Sequence, residues 1–278
     1  MSAGQPEWGI ERLEAADAPK NVALSRSVGW KDVEGEWRVL HAAADVRGVR
    51  QGAQLLAQGA LGDYGNAATL AKMVVAEELR GRRLAARLLD GFLADADARG
   101  IPVGLCATDH GRPLYTSRGF EVSGELMVLF GTVNAPGTVA VGSVVPLDNV
   151  TRAIELDREF SGCDRARMLA ARFAESSVRL ALTGGRGFAL ATTQGEGTLV
   201  GPILADSAAG ARTLATALLA EIAGPVRFDV PLEHADFRSW LVGLGLREVS
   251  QRVEMTRGAV RSPWQVPQRF VLSTQAWG

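Results

Sequence analysis

Met73 to Phe120 reads MVVAEELRGRRLAARLLDGFLADADARGIPVGLCATDHGRPLYTSRGF, and this stretch decides how the rest of the chain is read. Ala68 to Val75 is an apolar run that ends in a β-branched pair, the pattern of a buried strand. Gly81 to Arg99 places Leu84, Leu88, Leu89 and Leu93 at steps of three and four, which predicts a helix with one face on a sheet. Gly100 stops that helix, with Pro102 close behind. Ile101 to Ala107 then reads as a second buried strand, and Arg112 to Arg118 as a short helix closed by Gly119. A strand that feeds a helix through a tight turn leaves the first amides of the helix unpaired and converging, with the helix dipole behind them. Such a turn is an anion site. Arg80, Arg82 and Arg83 surround it, so a diphosphate would meet both backbone donors and guanidinium groups.

Working outward, Trp8 to Arg12 reads as a short strand, and Ala15 to Ser27 and Glu34 to Ala44 as helices. Val46 to Gln51 and Gln54 to Leu61 are strands about a turn at Gly52, so that with Ala68 to Val75 they form a meander. Phe120 to Phe130 is a long closing strand. Residues 134–143, rich in Gly, Pro and small side chains, form the expected linker between a module at 1–133 and another at 144–278. The second half repeats the order of the first. RGRRLAARLL from Arg80 aligns without gaps on GARTLATALL from Gly210, and Arg118-Gly119-Phe120 has a looser counterpart in Leu244-Gly245-Leu246. The predicted fold class is therefore α/β, an α+β mixed sheet in two tandem modules, each a mostly antiparallel twisted sheet flanked by helices.

Composition narrows the function. The 278 residues are 47% hydrophobic and 22% charged, with 30 Lys and Arg against 31 Asp and Glu, an ordinary soluble balance with no global positive field for nucleic acid or an anionic membrane. Cys106 lies in an apolar strand and Cys163 in a polar turn, contexts that suit two free thiols in a reducing compartment and give no disulfide or metal framework. No run approaches the length of a membrane span, and the start MSAGQPEWGIERLEAAD lacks the basic and apolar parts of a leader. The expectation is a cytoplasmic protein, monomer or homodimer, with neither nucleic acid, membrane nor metal as partner.

Arg80-Gly81-Arg82-Arg83-Leu84-Ala85 resembles the Q/RxxGxG/A pattern of GNAT superfamily N-acetyltransferases, matching at Arg80 and Ala85. It departs at Arg83, where the family usually has Gly. A missing Cβ there lets the backbone approach a pyrophosphate, so Arg83 either swings outward or blocks the site. Pro113-Leu114-Tyr115-Thr116-Ser117-Arg118-Gly119-Phe120 resembles the family's LYxxxGF segment. The resemblance implies that acetyl-CoA is held by Met73, Val74 and Val75, whose backbone pairs with the pantetheine, and by Arg80, Gly81, Arg82, Arg83, Leu84 and Ala85. It implies direct attack of a neutral amine on the thioester, with Tyr115 as general acid to the departing CoA thiolate. A phenol can do this without a shifted pKa.

Asp63, Tyr64, Asp109 and His110 stand in turns beside these strands as possible bases, and none is singled out. The second half keeps only Arg212 of the cationic set, with Gly210, Ala211 and Thr213 at the positions of Arg80, Gly81 and Arg83, so a second CoA is not expected. Asp157 to Met168, Val200-Gly201-Pro202, Asp229-Val230-Pro231 and the tail Phe270-Val271-Leu272 resemble the second half of bacterial tandem-GNAT proteins. That resemblance implies a degenerate module that helps wall an acceptor pocket. Asp229 could pair with a cationic amine and Trp30 or Trp240 could line the pocket. The expected function is acetyl transfer from acetyl-CoA to a primary amine on a small molecule or peptide; the alternatives are a ligand sensor or scaffold without catalysis, and acyl-CoA chemistry without an amine.

Overall fold

The computed structural model describes residues 8–195 and 197–278; the reading of the chain's first seven residues lies outside them. The first half runs β1 (Ile10–Arg12), α1 (Ala18–Ser27), α2 (Glu34–Ala43), β2 (Ala44–Gln51), β3 (Gln54–Asp63), β4 (Ala68–Val75), α3 (Leu84–Arg99), β5 (Val103–Ala107), α4 (Arg112–Thr116) and β6 (Glu121–Thr132). The second runs β7 (Val144–Pro146), α5 (Val150–Ser161), α6 (Ala166–Glu175), β8 (Val178–Leu182), β9 (Gly187–Gln194), β10 (Gly197–Ala205), α7 (Ala208–Glu221), β11 (Pro225–Pro231), α8 (Ala235–Gly243) and β12 (Arg247–Arg257). The two lists match element for element. A further strand, β13 (Arg269–Val271), has no counterpart in the first half.

Local chemistry accounts for the elements around the site. Helix α3 buries Leu84, Leu88, Leu89, Phe92, Leu93 and Ala96, one continuous stripe at helical spacing. Burying the leucine and phenylalanine side chains contributes about 1.5–3 kcal/mol each. The helix ends at Gly100, whose φ of 63° allows the amide of Ile101 to reach the carbonyl of Ala96 at 3.1 Å. It begins at Leu84 rather than Gly81, because Gly81 (φ 80°) and Arg83 (φ 61°) are left-handed and carry the chain around a loop first. Strand β4 is broken by a bulge at Lys72 (φ 54°), where its register against β3 shifts. Met73 packs into the space that a side chain at Gly59 would fill.

Thirteen strands of the described residues join one sheet, in the order β1-β2-β3-β4-β5-β12-β6-β11-β10-β9-β8-β7 with β13 beside β10. Neighbours are antiparallel except β4 with β5 and β10 with β11. The two halves exchange their last strands. β12 lies between β5 and β6, while β6 pairs along its length with β11. The cores follow: Met255 of β12 packs with Leu89, Phe92 and Phe120 of the first half, and Leu129 of β6 packs with Leu214, Leu218 and Phe228 of the second. Neither half closes its own sheet, so the tandem modules are one structural unit. No described helix is long and apolar enough to cross a membrane.

Candidate functional site

The parallel strands β4 and β5 are hydrogen-bonded only from Ala68 to Leu70 against Val103 to Leu105. Beyond those pairs β4 continues to Val75 and β5 to Ala107, so the strands part into a wedge with unpaired backbone on both walls. Met73, Val74 and Val75 line one wall, and Val74 is buried while the other two are half-buried. Just past Val75 the chain turns through Glu77–Leu79 and the left-handed loop into α3. Arg83, at the position preceding the helix, makes no side-chain cap, which leaves the amides of the first turn free as donors.

Charge is concentrated at the same place. Arg80 bonds Glu77 at 3.0 Å and its side chain is 44% exposed. Arg82 stacks over Trp8, and Arg87 donates to the Trp8 carbonyl at 2.9 Å. Arg82 and Arg83 are both exposed, and among the described residues neither meets a carboxylate. Arg83 holds the left-handed backbone that glycine adopts most readily, at a cost of about 1–2 kcal/mol.

Tyr115 projects from α4 near the end of β5, buried and edge-on to Phe120 with ring centres 5.9 Å apart. The amide of Phe120 bonds the Tyr115 carbonyl at 3.2 Å, and Gly119 (φ 81°) provides the turn between them. Burial first, and then the neighbouring Cys106, push its phenol up to about 12. It therefore holds its proton throughout the neutral range. An open depression lined by Asp109, Arg112, Pro113, Thr116 and Ser117 runs along the same helix.

The other candidates sort by their partners. Tyr64 is buried and donates to the Trp277 carbonyl at 3.2 Å. Asp63 bonds Arg99 at 2.6 Å; burial would raise its carboxyl, but the hydrogen bonds from Arg99 and the Gly65 amide outweigh it and hold it below its ordinary value. Asp109 and His110 are exposed on the turn after β5. Asp229 accepts both contacts of Arg227 at 2.9 Å and is buried, so its carboxylate already has a cation. Trp240 packs on Phe237 under Arg212 in the second core. Trp30 is half-buried beneath Lys72, 5.6 Å from its ring.

Lys72 introduces a cluster that the sequence did not reveal. From the β4 bulge its ammonium bonds Asp32 at 2.7 Å and Glu36 at 2.8 Å. Burial would raise the carboxyl of Glu36, yet Lys72, Arg172 and Arg227 together hold it down. These groups come from the loop before α2, α2 itself, β4, α6 and β11, far apart in sequence, and Lys72 stands out in the structure by its left-handed φ.

The equivalent wedge of the second half is filled. β10 and β11 pair in parallel only at Thr198 to Val200 with Val226 to Phe228. Beyond that, β13 inserts antiparallel to β10 through Ile203 with Val271 and Leu204 with Arg269. The Leu272 amide bonds the Asp229 carbonyl on β11 at 3.0 Å, and Gly201 leaves room for the Leu272 carbonyl. Helix α7 is also capped, since Ser207 accepts from the Gly210 amide at 3.2 Å. One wedge of the protein is unpaired and flanked by arginines; its twin carries its own strand.

Two family models, each described as an acetyltransferase (GNAT) domain, match the chain, one over residues 42–132 and the other over residues 153–268. The uncharacterized N-acetyltransferase YitH of Bacillus subtilis is 24% identical over 257 residues, 88% of this chain and 81% of that protein. Among solved structures, a candidate acetyltransferase from Pyrococcus horikoshii superposes with a TM-score of 0.83 at 17% identity, covering 99% of this chain and 97% of its own. A tandem GNAT protein from the clavulanic acid biosynthesis pathway gives 0.64 at 16% identity over 90% of this chain and 98% of its own.

Proposed function

The chain belongs to the GNAT acetyltransferases, two of whose domains it carries in tandem, and on that premise we propose that its first half binds acetyl-CoA and transfers the acetyl group to a primary amine. The pyrophosphate docks on the free amides that open α3, among Arg80, Arg82 and Arg83, and the pantetheine lies along Met73 to Val75 in the wedge. The observation that carries this reading is the contrast between the wedges. Only the first has an uncapped helix start and unpaired strand walls, whereas the second has β13 in place of a ligand and Ser207 in place of an anion.

The amine nitrogen attacks the thioester carbonyl carbon, the new C–N bond forms and the C–S bond breaks. Tyr115 gives its hydroxyl proton to the departing thiolate, and the amine releases its proton to solvent, which returns one to the tyrosinate. A phenol pushed up to about 12 remains the proton carrier across physiological pH, the state a general acid requires. Acetyl-CoA supplied with a broad amine panel tests this. Thiol release that depends on amine and disappears in Tyr115→Phe, with coenzyme affinity retained, is the expected result. Binding of acetyl-CoA with no thiol release from any amine would instead identify a sensor, and release without amine a hydrolase.

A further inference from the structure

Among the large buried side chains, Arg172 of α6 is anomalous. Its exposure is 1%, yet its Nε and Nη2 have no hydrogen-bond partner. The other deeply buried arginines are paired: Arg165 bonds both oxygens of Asp157, and Arg269 bonds both oxygens of Glu254 at 2.8 Å. A buried cation without a counter-ion is costly, so such groups are found paired, hydrogen-bonded or bound to something. Burial lowers the Arg172 guanidinium to about 10, against the opposing fields of Glu36 and Glu175. Both of those carboxylates are already committed, Glu175 to Nε and Nη2 of Arg38 at 2.9 Å and Glu36 to Lys72.

Packing links this cation to the strand before the wedge: α6 lies against α2, where a side chain at Gly35 would meet the Glu175 carboxylate, and Glu36 of α2 is bonded to Lys72 of β4. Lys72 directly precedes Met73, and Trp30 lies under it. Glu36 feels Lys72, Arg172 and Arg227, and Arg227 in turn feels Cys106 near the free end of β5. Arg227 is 40% exposed and Glu36 12%, so the β11 side of the cluster is the more exposed. The first turn of α2, whose preceding residue Val33 gives no side-chain cap, packs on α6 at Gly35 and Glu175.

Nε and Nη2 are the pair that presents two parallel N–H bonds to a planar carboxylate. We propose that the acceptor is an amine that also bears a carboxylate, an amino acid or a peptide ending in one, and that Arg172 receives this carboxylate in a side-on, bidentate contact once the α2 turn gives way. This inference rests on the transferase reading, and it uses a residue outside the coenzyme site.

The test compares amino acids and dipeptides with their C-terminal amides, by calorimetric binding in the presence of CoA and by thiol release from acetyl-CoA. Wild-type protein is expected to bind and turn over the carboxylate members of the effective pairs at least tenfold better than the amides. Arg172→Met, which removes the unpaired charge while keeping an apolar stem, should retain CoA affinity, melt no lower than wild type and lose that discrimination. Equal use of acids and amides by the wild type, or binding of neither, would overturn the proposal without needing the variant. So would discrimination that survives in Arg172→Met, or in Arg172→Gln should the first variant not fold. Carboxylate binding that depends on Arg172 but yields no thiol release would uphold the subsite and refute the transferase reading instead.

Discussion

Reversing the charge at Arg80 probes the coenzyme site where its electrostatics are simplest. The Arg80 side chain is 44% exposed and bonded to Glu77 at 3.0 Å, so it sits near the solvent limit of screening. There a unit charge about 4 Å from a phosphate oxygen contributes about 1 kcal/mol. Arg80→Glu removes that attraction and adds a repulsion of similar size, about 2 kcal/mol in all, which corresponds to about 30-fold in affinity. The new carboxylate also joins Glu77 and Glu78 at the mouth of the site, so the penalty should grow as salt is lowered. Isothermal calorimetry with acetyl-CoA at two ionic strengths measures it. The same reversal at Arg212, on the capped helix of the second half, should leave coenzyme affinity unchanged. Unaltered affinity in a folded Arg80→Glu protein would refute the placement of the phosphates.

Tyr115→Phe should lower turnover by about 10²–10⁴-fold with little change in coenzyme affinity; because the phenol holds its proton up to about 12, wild-type activity should show no falling limb from this group below about pH 11, and an early one would place the acid elsewhere. Arg83→Gly relieves a left-handed residue, about 1–2 kcal/mol, but frees the unfolded chain, about 0.5–1 kcal/mol, so urea unfolding should shift by no more than about 1.5 kcal/mol. A larger loss would mean that the Arg83 side chain itself holds the loop. Asp17 concerns acid stability: burial would raise its carboxyl, but Arg50, the Glu14 amide and Lys20 bring it from 3.8 down to about 2. A depressed native value confers stability that is present above the unfolded value and lost as pH falls through the native one. Asp17→Asn should therefore flatten the stability curve between about pH 4 and pH 2, and an equally steep curve would contradict the assignment.

The apolar stripe of α3, the strand at Ala68–Val75 and the loop at Gly119 were legible because each is specified by neighbours in sequence. The first turn of α3 was misplaced at Gly81 because the loop takes a left-handed arginine, a conformation that side-chain chemistry does not announce. The exchange of β6 and β12 was invisible, since the order of elements is the same whether or not the closing strands swap. β13 is only three residues long, and what fixes it is a wedge assembled by strands more than sixty residues upstream on one side, so composition gives no warning of it. The cluster of Asp32, Glu36, Lys72, Arg172 and Arg227 is a tertiary product in the same sense. Tyr115 and the Arg80 turn could be read because motif and local structure coincide there.

Of the two wedges, the first is left unpaired and the second is occupied by β13. Crystals grown with saturating acetyl-CoA test this directly. One coenzyme per chain is predicted, with its pyrophosphate on the amides that begin α3 and its pantetheine beside Met73 to Val75. A coenzyme between β10 and β11, or an α3 start left bare at saturation, would contradict it.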